Sequence, residues 1–154
     1  MILALDLATK TGWAVVGLDG RRHSSGAWNC KSRRGAHPGH RFLRWLEEFK
    51  TVMNKHGSAV SLVVYEDIKR HSSSAAKDVY GGIRGLMMLE CHRRGVDVVG
   101  YAVGTVKKAA TGNGRAKKPE VIAAMAERFG IELKDDNEAD ALAVAVTHVR
   151  TVGP

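Results

Sequence analysis

Three features that often assign a chain to a class of proteins are missing from these 154 residues. No apolar run approaches the roughly 18 residues of a membrane-spanning helix, so we expect no membrane association. The start has no basic segment, and Asp6 interrupts the first apolar run, so we expect no signal peptide. Two cysteines, Cys30 and Cys91, are too few for a disulfide framework and favour a reducing compartment, which predicts a cytoplasmic protein.

Acidic residues are scarce relative to basic ones. The chain has 24 lysines and arginines against 16 aspartates and glutamates, a net charge of +8. This excess predicts a polyanionic partner, with nucleic acid as the first candidate. The length and the apolar share of 44% are typical of one globular unit, so we expect residues 1–154 to form a single domain.

Strand-like and helix-like patterns alternate along the chain. Short apolar or alternating runs predict five strands, at 2–5, 13–16, 23–28, 59–65 and 96–103. Amphipathic or apolar stretches predict five helices: about 15 residues after Gly39, about 75–94, a short one from Thr105, one that begins at Pro119, and a last one from Asp135. In the last helix Asp135 and Glu138 have the spacing of a capping box. This order predicts an α/β fold, a five-stranded mixed sheet with helices on both faces.

A carboxylate stands at the end of two of the apolar strands. Asp6 ends the first strand and Glu66 the fourth, while Asp140 enters the apolar last helix. If the two strands are neighbours, the three acids converge, and like charges so close repel unless cations lie among them. Oxygen ligands suit Mg²⁺ or Mn²⁺, and two such ions promote attack of water on a phosphodiester. The sequence therefore predicts a nuclease, although a hydrogen bond with the turn at 9–12 explains Asp6 alone equally well.

Four segments resemble a known family. ALDLATKTGWAVV, VVYED, VKKAATGNGRAKKPEV and DNEADALAVAVTHV are similar to the RuvC-type Holliday-junction resolvases of the RNase H-like superfamily, in a short form such as bacteriophages carry. The resemblance runs from residue 2 to about residue 150. It implies an RNase H-like fold and a homodimer that binds four-way DNA junctions and nicks two strands symmetrically with Mg²⁺ or Mn²⁺.

The same resemblance implies roles for individual residues. Asp6, Glu66 and Asp140 bind the metal, and Lys118 and Lys107 match positions near the scissile phosphate. The residues expected to contact DNA follow the fourth strand or lie at the break between the two short helices: Lys69, Arg70, His71, Lys107, Lys108, Asn113, Arg115, Lys117 and Lys118. Solvated lysines at helix ends are the alternative explanation for Lys107 and Lys118.

The chain departs from the family pattern at two places. The last motif of the family carries two acids three residues apart, and here the first of these positions is Asn137. The amide of Asn137 or the carboxylate of Asp136 is a candidate additional ligand, although a favourable charge in the first helical turn explains Asp136 equally well. Where the family has an aromatic wedge, this chain has Ile68 to His71, so stacking on DNA falls to His71 or an arginine.

Other functions are compatible with parts of this pattern. The same carboxylates would serve a flap-cutting or structured-RNA nuclease, and the first turn also suits a sugar-kinase-like or actin-like ATPase, although the chain is too short for two lobes. Asn137 is the best support for a junction-binding module without catalysis. We expect His148 to be a surface or capping histidine on the last helix.

Overall fold

The computed structural model describes residues 1–153 of the chain. Five strands form one sheet, in the order β3-β2-β1-β4-β5. They are β1 (Ile2–Asp6), β2 (Lys10–Val16), β3 (Arg22–Asn29), β4 (Leu62–Asp67) and β5 (Asp97–Ala102). The pairs β1–β2 and β2–β3 are antiparallel, and β1–β4 and β4–β5 are parallel. The prediction of a five-stranded mixed sheet is confirmed.

Five α-helices cover the two faces of this sheet. They are α1 (His40–His56), α2 (Ser74–Arg94), α3 (Val103–Thr111), α4 (Lys118–Phe129) and α5 (Asp136–Val152). The helices α1 and α2 pack on one face, and α3, α4 and α5 pack on the other. Local signals set several of their ends: the Ser73 hydroxyl caps α2, and Gly95 ends it with a φ of 65°.

The order of the strands determines which residues share an edge. β1 and β4 are direct neighbours in parallel, and Leu5 lies opposite Tyr65. The carboxyl ends of two parallel strands lie at the same edge of the sheet. Asp6 and Glu66 therefore emerge side by side.

The face under α1 and α2 is filled by large side chains. Trp28, Trp45 and Phe49 are buried, with ring centroids 6.0 Å apart for the first pair and 5.2 Å for the second. The amphipathic stripe of α1 supplies two of these rings. Cys30 and Cys91 are buried in the same layer as free thiols.

The opposite face is packed by small side chains. The alanines that α5 turns into this layer are completely buried: Ala139, Ala141, Ala143 and Ala145. They allow the helix to lie close to the strands. At Gly12 in β2, a Cβ atom would fall 1.7 Å from the backbone oxygen of Asn137. Glycine is required at this position because the start of α5 touches the strand.

Two predictions about α5 are wrong in part. Asp135 caps the helix by accepting the Asn137 N–H at 2.9 Å, but Glu138 does not complete a capping box. Glu138 instead accepts the Ser25 hydroxyl at 2.5 Å, because β3 lies within its reach. His148 is buried rather than at the surface, and its Nδ1 lies 2.8 Å from the Tyr101 hydroxyl.

None of the helices within residues 1–153 combines the length and the apolar character needed to cross a membrane.

Candidate active site

The three predicted acids approach one another at one edge of the sheet. Asp6 is the last residue of β1 and is only 8% exposed, Glu66 lies near the end of β4, and Asp140 lies in the second turn of α5. Glu66 and Asp140 line a cavity of about 300 Å³, and the negative charges of both reach Asp6. The structure thus brings together residues that lie 60 to 134 positions apart in the sequence.

Burial and mutual repulsion make these carboxyl groups weak acids. Burial, followed by the charges of Asp140 and Glu66, raises the pKa of Asp6 to about 8. Burial and the charge of Asp140 raise the pKa of Glu66 to about 7. Burial raises the pKa of Asp140 to about 6, although Lys118 opposes the shift. Three ionised carboxylates at this edge therefore need additional positive charge beside them.

The turn between β1 and β2 does not account for Asp6. Its hydrogen bonds are made by Thr11, whose hydroxyl donates to the Ala8 carbonyl at 2.6 Å and accepts the Trp45 Nε1–H at 2.9 Å. Within residues 1–153 no hydrogen bond joins the Asp6 side chain to this turn. The alternative explanation of Asp6 as a turn residue is therefore not supported.

Two lysines stand beside the acids. Lys107 in α3 and Lys118 at the start of α4 line the cavity that holds Glu66 and Asp140. Each lowers the pKa of both carboxyl groups, and Lys118 also lowers that of Asp6. Lys118 donates to Asp136 at 2.5 Å, and this hydrogen bond raises the pKa of the lysine. Both lysines therefore place positive charge beside the carboxyl groups of Glu66 and Asp140.

Hydrogen bonds engage the carboxylate of Asp136 and the amide nitrogen of Asn137, the two candidate additional ligands. The Asp136 carboxylate is bound to Lys118. The Asn137 amide donates to Asp135 at 2.9 Å and to Asp136 at 3.3 Å. Asn137 lines a different cavity, of about 440 Å³, on the α1 side of the sheet edge.

The acids are grouped electrostatically but not as a finished coordination site. Within residues 1–153 no three side chains of His, Cys, Asp or Glu are arranged to hold an ion as they stand. Repulsion keeps free carboxylates apart, and Lys107 and Lys118 neutralise part of their charge. The donor set is nevertheless made of carboxylate oxygens alone, which is the chemistry that Mg²⁺ and Mn²⁺ prefer.

The residues predicted to contact DNA occupy three kinds of position. Arg70, Lys107 and Lys118 line the cavity at the acids. Four are exposed around the connection from α3 to α4: Lys108, Asn113, Arg115 and Lys117. Two have partners within the chain: Lys69 pairs with Asp67 at 2.6 Å, and His71 packs on Tyr80 with ring centroids 4.8 Å apart. Asn113 also accepts the Arg115 N–H at 2.9 Å, so it shapes the turn.

Two contacts that hold Asp140 in place were missed by the sequence analysis. Lys10 at the start of β2 forms an ion pair with Asp135, and Ser25 in β3 donates to Glu138. Both fasten the first turn of α5 to the sheet, one turn before Asp140. No local pattern marks these pairs, because their members are more than a hundred residues apart.

Comparison with known proteins assigns the chain to a family. The model of the family described as crossover junction endodeoxyribonuclease RuvC matches residues 2–148. Two proteins of that name, from Chlamydia muridarum and from a Wolbachia endosymbiont of Brugia malayi, are each 30% identical to this chain. The first alignment covers 96% of this chain and 90% of the relative, and the second covers 97% and 94%.

Solved structures show the same architecture. Thermus thermophilus RuvC in complex with a Holliday junction substrate superposes with a TM-score of 0.81 at 23% identity, covering 96% of this chain and 91% of that one. The yeast mitochondrial Holliday junction resolvase Ydc2 superposes with a TM-score of 0.67 at 12% identity, covering 97% and 77%. The sheet and its helices are therefore the RNase H-like fold, and the chain belongs to the RuvC family of crossover junction endodeoxyribonucleases.

Proposed function

We propose that this chain resolves Holliday junctions and other branched DNA by metal-dependent hydrolysis of phosphodiester bonds. One observation carries the proposal. Three acids from β1, β4 and α5 meet at one edge of the sheet, where each of the two strand-end pKa values is raised by a neighbouring carboxylate. The chain as a whole is strongly basic, with a net charge of +8.

Asp6, Glu66 and Asp140 would hold the ion, with Mg²⁺ as the expected metal and Mn²⁺ as a substitute. When bound, such an ion lowers the pKa of water and offsets charge on the phosphate. The residues of the chain supply the remaining functions. Lys107 and Lys118 bind the scissile phosphate and stabilise its developing charge, and the remaining predicted DNA contacts position the backbone.

Substitution of one acid tests the active site. Asp6→Asn removes a ligand charge but keeps the shape of the side chain, so nicking of a mobile four-way junction should fall by about 100-fold or more. Binding of the junction should stay equal or become tighter, because a negative charge that faces phosphates is lost. Asp19→Asn, in the hairpin at the other end of the sheet, is the matched control. Normal nicking by Asp6→Asn contradicts the assignment.

The same assay separates the alternative activities. Purified protein is incubated with Mg²⁺ and a four-way junction, a flap or a structured RNA of matched length. Preferred and symmetric nicking of the junction supports the proposal. Preference for the flap or the RNA identifies the alternative nuclease, and binding without any nicking identifies a non-catalytic module.

We propose that neither Asp136 nor Asn137 completes the metal site in the wild-type chain. The Asp136 carboxylate is engaged with Lys118. The Asn137 amide nitrogen donates to the preceding acids, and Asn137 lines the cavity on the α1 side rather than the cavity that holds Glu66 and Asp140. Asn137→Asp adds a carboxylate three residues before Asp140, and it should tighten Mn²⁺ binding by about tenfold. Titration of Mn²⁺ followed by electron paramagnetic resonance measures this. Asp136→Asn is the control, and a large loss of affinity in that variant identifies Asp136 as a ligand.

We further propose that the chain acts as a homodimer through α2. Leu89 is 45% exposed on this helix, and a Cβ atom at Gly81 or Gly85 would meet nothing within 4 Å. These three residues recur every four positions, so they form one open face. Leu89→Arg should convert the dimer to a monomer, as measured by light scattering. An unchanged mass places the interface elsewhere.

Two unpaired cysteines fit the reducing cytoplasm, which we propose as the site of action in a bacterium or a phage-infected cell. Residues 1–154 are proposed to act as one nuclease domain.

A further inference from the structure

The segment from Cys30 to Arg44 connects the end of β3 to the first turns of α1. It contains five of the 24 basic residues of the chain and none of the 16 acidic residues. These are Lys31, Arg33, Arg34, Arg41 and Arg44. We refer to residues 30–44 as the basic segment. The sequence analysis gave it no function, and the proposed catalytic mechanism does not use it.

Strand pairing places the basic segment at the catalytic edge of the sheet. Gly12 lies opposite Asp6, and Lys10 lies opposite Asn29, so β3 ends where β1 ends. The Cys30 N–H donates to the Thr9 carbonyl at 2.8 Å. The basic segment therefore leaves the sheet beside the acids, on the face covered by α1. Lys107 and Lys118 lie on the face covered by α5, so the acids stand between two basic elements.

The charges of the basic segment are not neutralised within the protein. In the part of the chain that the structure describes, none of its five cations forms an ion pair with a carboxylate. The first turn of α1 has no acidic residue, and Gly39 provides no side-chain cap. Positive charge near the amino end of a helix is unfavourable, because it repels the helix dipole. An anion bound here would relieve this repulsion.

Two buried polar atoms of the basic segment have no hydrogen-bond partner. They are Ser32 Oγ and His40 Nδ1, and no other buried side-chain nitrogen or oxygen of residues 1–153 is in this condition. Buried polar atoms are nearly always paired in folded proteins. Both exceptions lie in this segment, which has five cations and no acidic residue, and this is a second, independent indication of a ligand.

A cavity of about 440 Å³ opens beside the basic segment. Arg41 and Lys10 contribute the cations of its lining, and Thr9, His71 and Asn137 contribute other polar groups. The Arg41 guanidinium reaches the Thr9 hydroxyl at 3.5 Å. The cavity extends from the basic segment to the turn that follows β1 and to the first turn of α5.

We propose that the basic segment binds the backbone phosphates of a DNA strand on the α1 side of the acids. Junction DNA is then bound on both sides of the scissile phosphate, by the basic segment on one side and by the connection between α3 and α4 on the other. Guanidinium groups suit this task because they donate two parallel hydrogen bonds to a phosphate. The inference rests on the proposed function, and it names a DNA-binding element that the proposed function does not require.

Two triple variants with the same loss of charge test the proposal. Arg33→Gln, Arg34→Gln and Arg41→Gln remove three cations of the basic segment. Arg21→Gln, Lys55→Gln and Arg128→Gln remove three exposed cations from the hairpin, from the end of α1 and from the end of α4, at the other end of the sheet. Affinity of the full chain for a four-way junction is measured without divalent ions at several salt concentrations.

The segment variant should lose about tenfold or more in affinity, and its plot of log affinity against log salt should lose about 0.9 in slope for each phosphate contact removed. The control variant should keep the wild-type slope. Equal affinity and slope in the two variants would show that only net charge matters, and this overturns the proposal. If the wild-type chain does not bind the junction, the proposed function is overturned as well. If the wild-type chain binds the junction and the segment variant binds it no more weakly than the control variant does, only the role of the basic segment is overturned.

Thermal unfolding distinguishes binding from a structural role. Positive charge near the amino end of α1 is unfavourable for the fold. If the arginines serve DNA binding, their removal should therefore leave the melting temperature unchanged or raise it. A melting temperature lowered together with the affinity shows that they support the fold, and this also overturns the proposal.

Discussion

The two faces of the sheet are packed by opposite means. Under α1 and α2 the layer is built from large rings, among them Trp28, Trp45 and Phe49. Under α5 the same sheet is covered by alanines and valines, and a missing Cβ at Gly12 lets the helix touch β2. Both layers exclude water equally well, since their members are almost completely buried.

The difference matters because only one face positions the acids. α5 carries Asp140, and its first turn lies against the strand that follows Asp6. Large side chains fill volume and can adjust their rotamers, whereas backbone atoms in direct contact cannot give way. We therefore expect the α5 face to control activity, and the aromatic face to control stability alone.

The most severe test of this comparison is Gly12→Val. The new side chain would overlap the backbone oxygen of Asn137, so α5 must move away from β2. We expect the free energy of unfolding to fall by about 3 kcal/mol or more, with loss of nicking even where the chain is folded. Urea unfolding and a nicking assay measure the two effects. Gly104→Ala is the control, because the nearest atom to its new Cβ lies 3.9 Å away.

A pair of core substitutions compares the faces directly. Ala143 and Met87 are both completely buried, one on each side of the sheet. Ala143→Leu overfills the α5 layer and should cost about 1–3 kcal/mol, whereas Met87→Leu keeps the volume and should cost less than about 1.5 kcal/mol. Nicking at a temperature where both variants are folded should fall only in Ala143→Leu. Equal losses of activity would refute the distinction.

The stability of the free protein should fall as the pH rises from about 4 to 8. Asp6 has a folded-state pKa of about 8 and an ordinary value of 3.8, so in this range the folded state binds more protons than the unfolded state. Each such group contributes at most about 1.4 kcal/mol per pH unit. Urea unfolding without divalent ions at pH 5, 7 and 9 measures the slope, and Asp6→Asn should flatten it.

This fall in stability comes from the acid edge. On the aromatic face burial raises the pKa values of Tyr80 and Cys91 to about 12 and also raises that of Cys30, so these groups stay neutral between pH 4 and 8. Saturating Mg²⁺ should reduce the loss at high pH, because an ion that binds the folded state stabilises the ionised acids. A slope unaffected by Asp6→Asn would place its origin elsewhere.

The smallest effect on nicking is expected for Trp45→Phe. The substitution removes the hydrogen bond from Nε1 to the Thr11 hydroxyl and leaves a cavity where the larger ring is completely buried, which together should cost about 2–3 kcal/mol. Thr11 keeps its partner at the Ala8 carbonyl, so the turn beside Asp6 should hold its shape. Nicking should match that of the wild type at temperatures well below unfolding. A strong loss of nicking would show that the aromatic face also positions the acids.

Much of the fold follows from local patterns. Apolar runs and their breaks located all five strands and all five helices to within a few residues. The acids at the strand ends were recognised because a charge in an apolar run is costly. Their convergence depended on one condition that the sequence left open, namely that β1 and β4 are neighbours, and the structure meets it.

The errors share one physical cause, which is contact between distant parts of the chain. Glu138 has the spacing of a capping box, but its carboxylate instead accepts a hydrogen bond from the hydroxyl of Ser25, 113 residues away in the sequence. We expect His148 at the surface because the carboxyl end of a helix favours a cation. In the structure the residue is buried, and its Nδ1 forms a hydrogen bond with the Tyr101 hydroxyl. Local rules assign a side chain its default partner, and tertiary structure supplies a different one.

The state of the two cysteines has a practical consequence for studying assembly. Burial raises the pKa of both thiols, that of Cys91 to about 12, so almost no reactive thiolate exists at neutral pH. Maleimide dyes should therefore spare both native positions. Leu18→Cys would offer a lone labelling point in the hairpin between β2 and β3, outside the interface proposed on α2. Energy transfer between dyes on two copies would then test whether the copies associate.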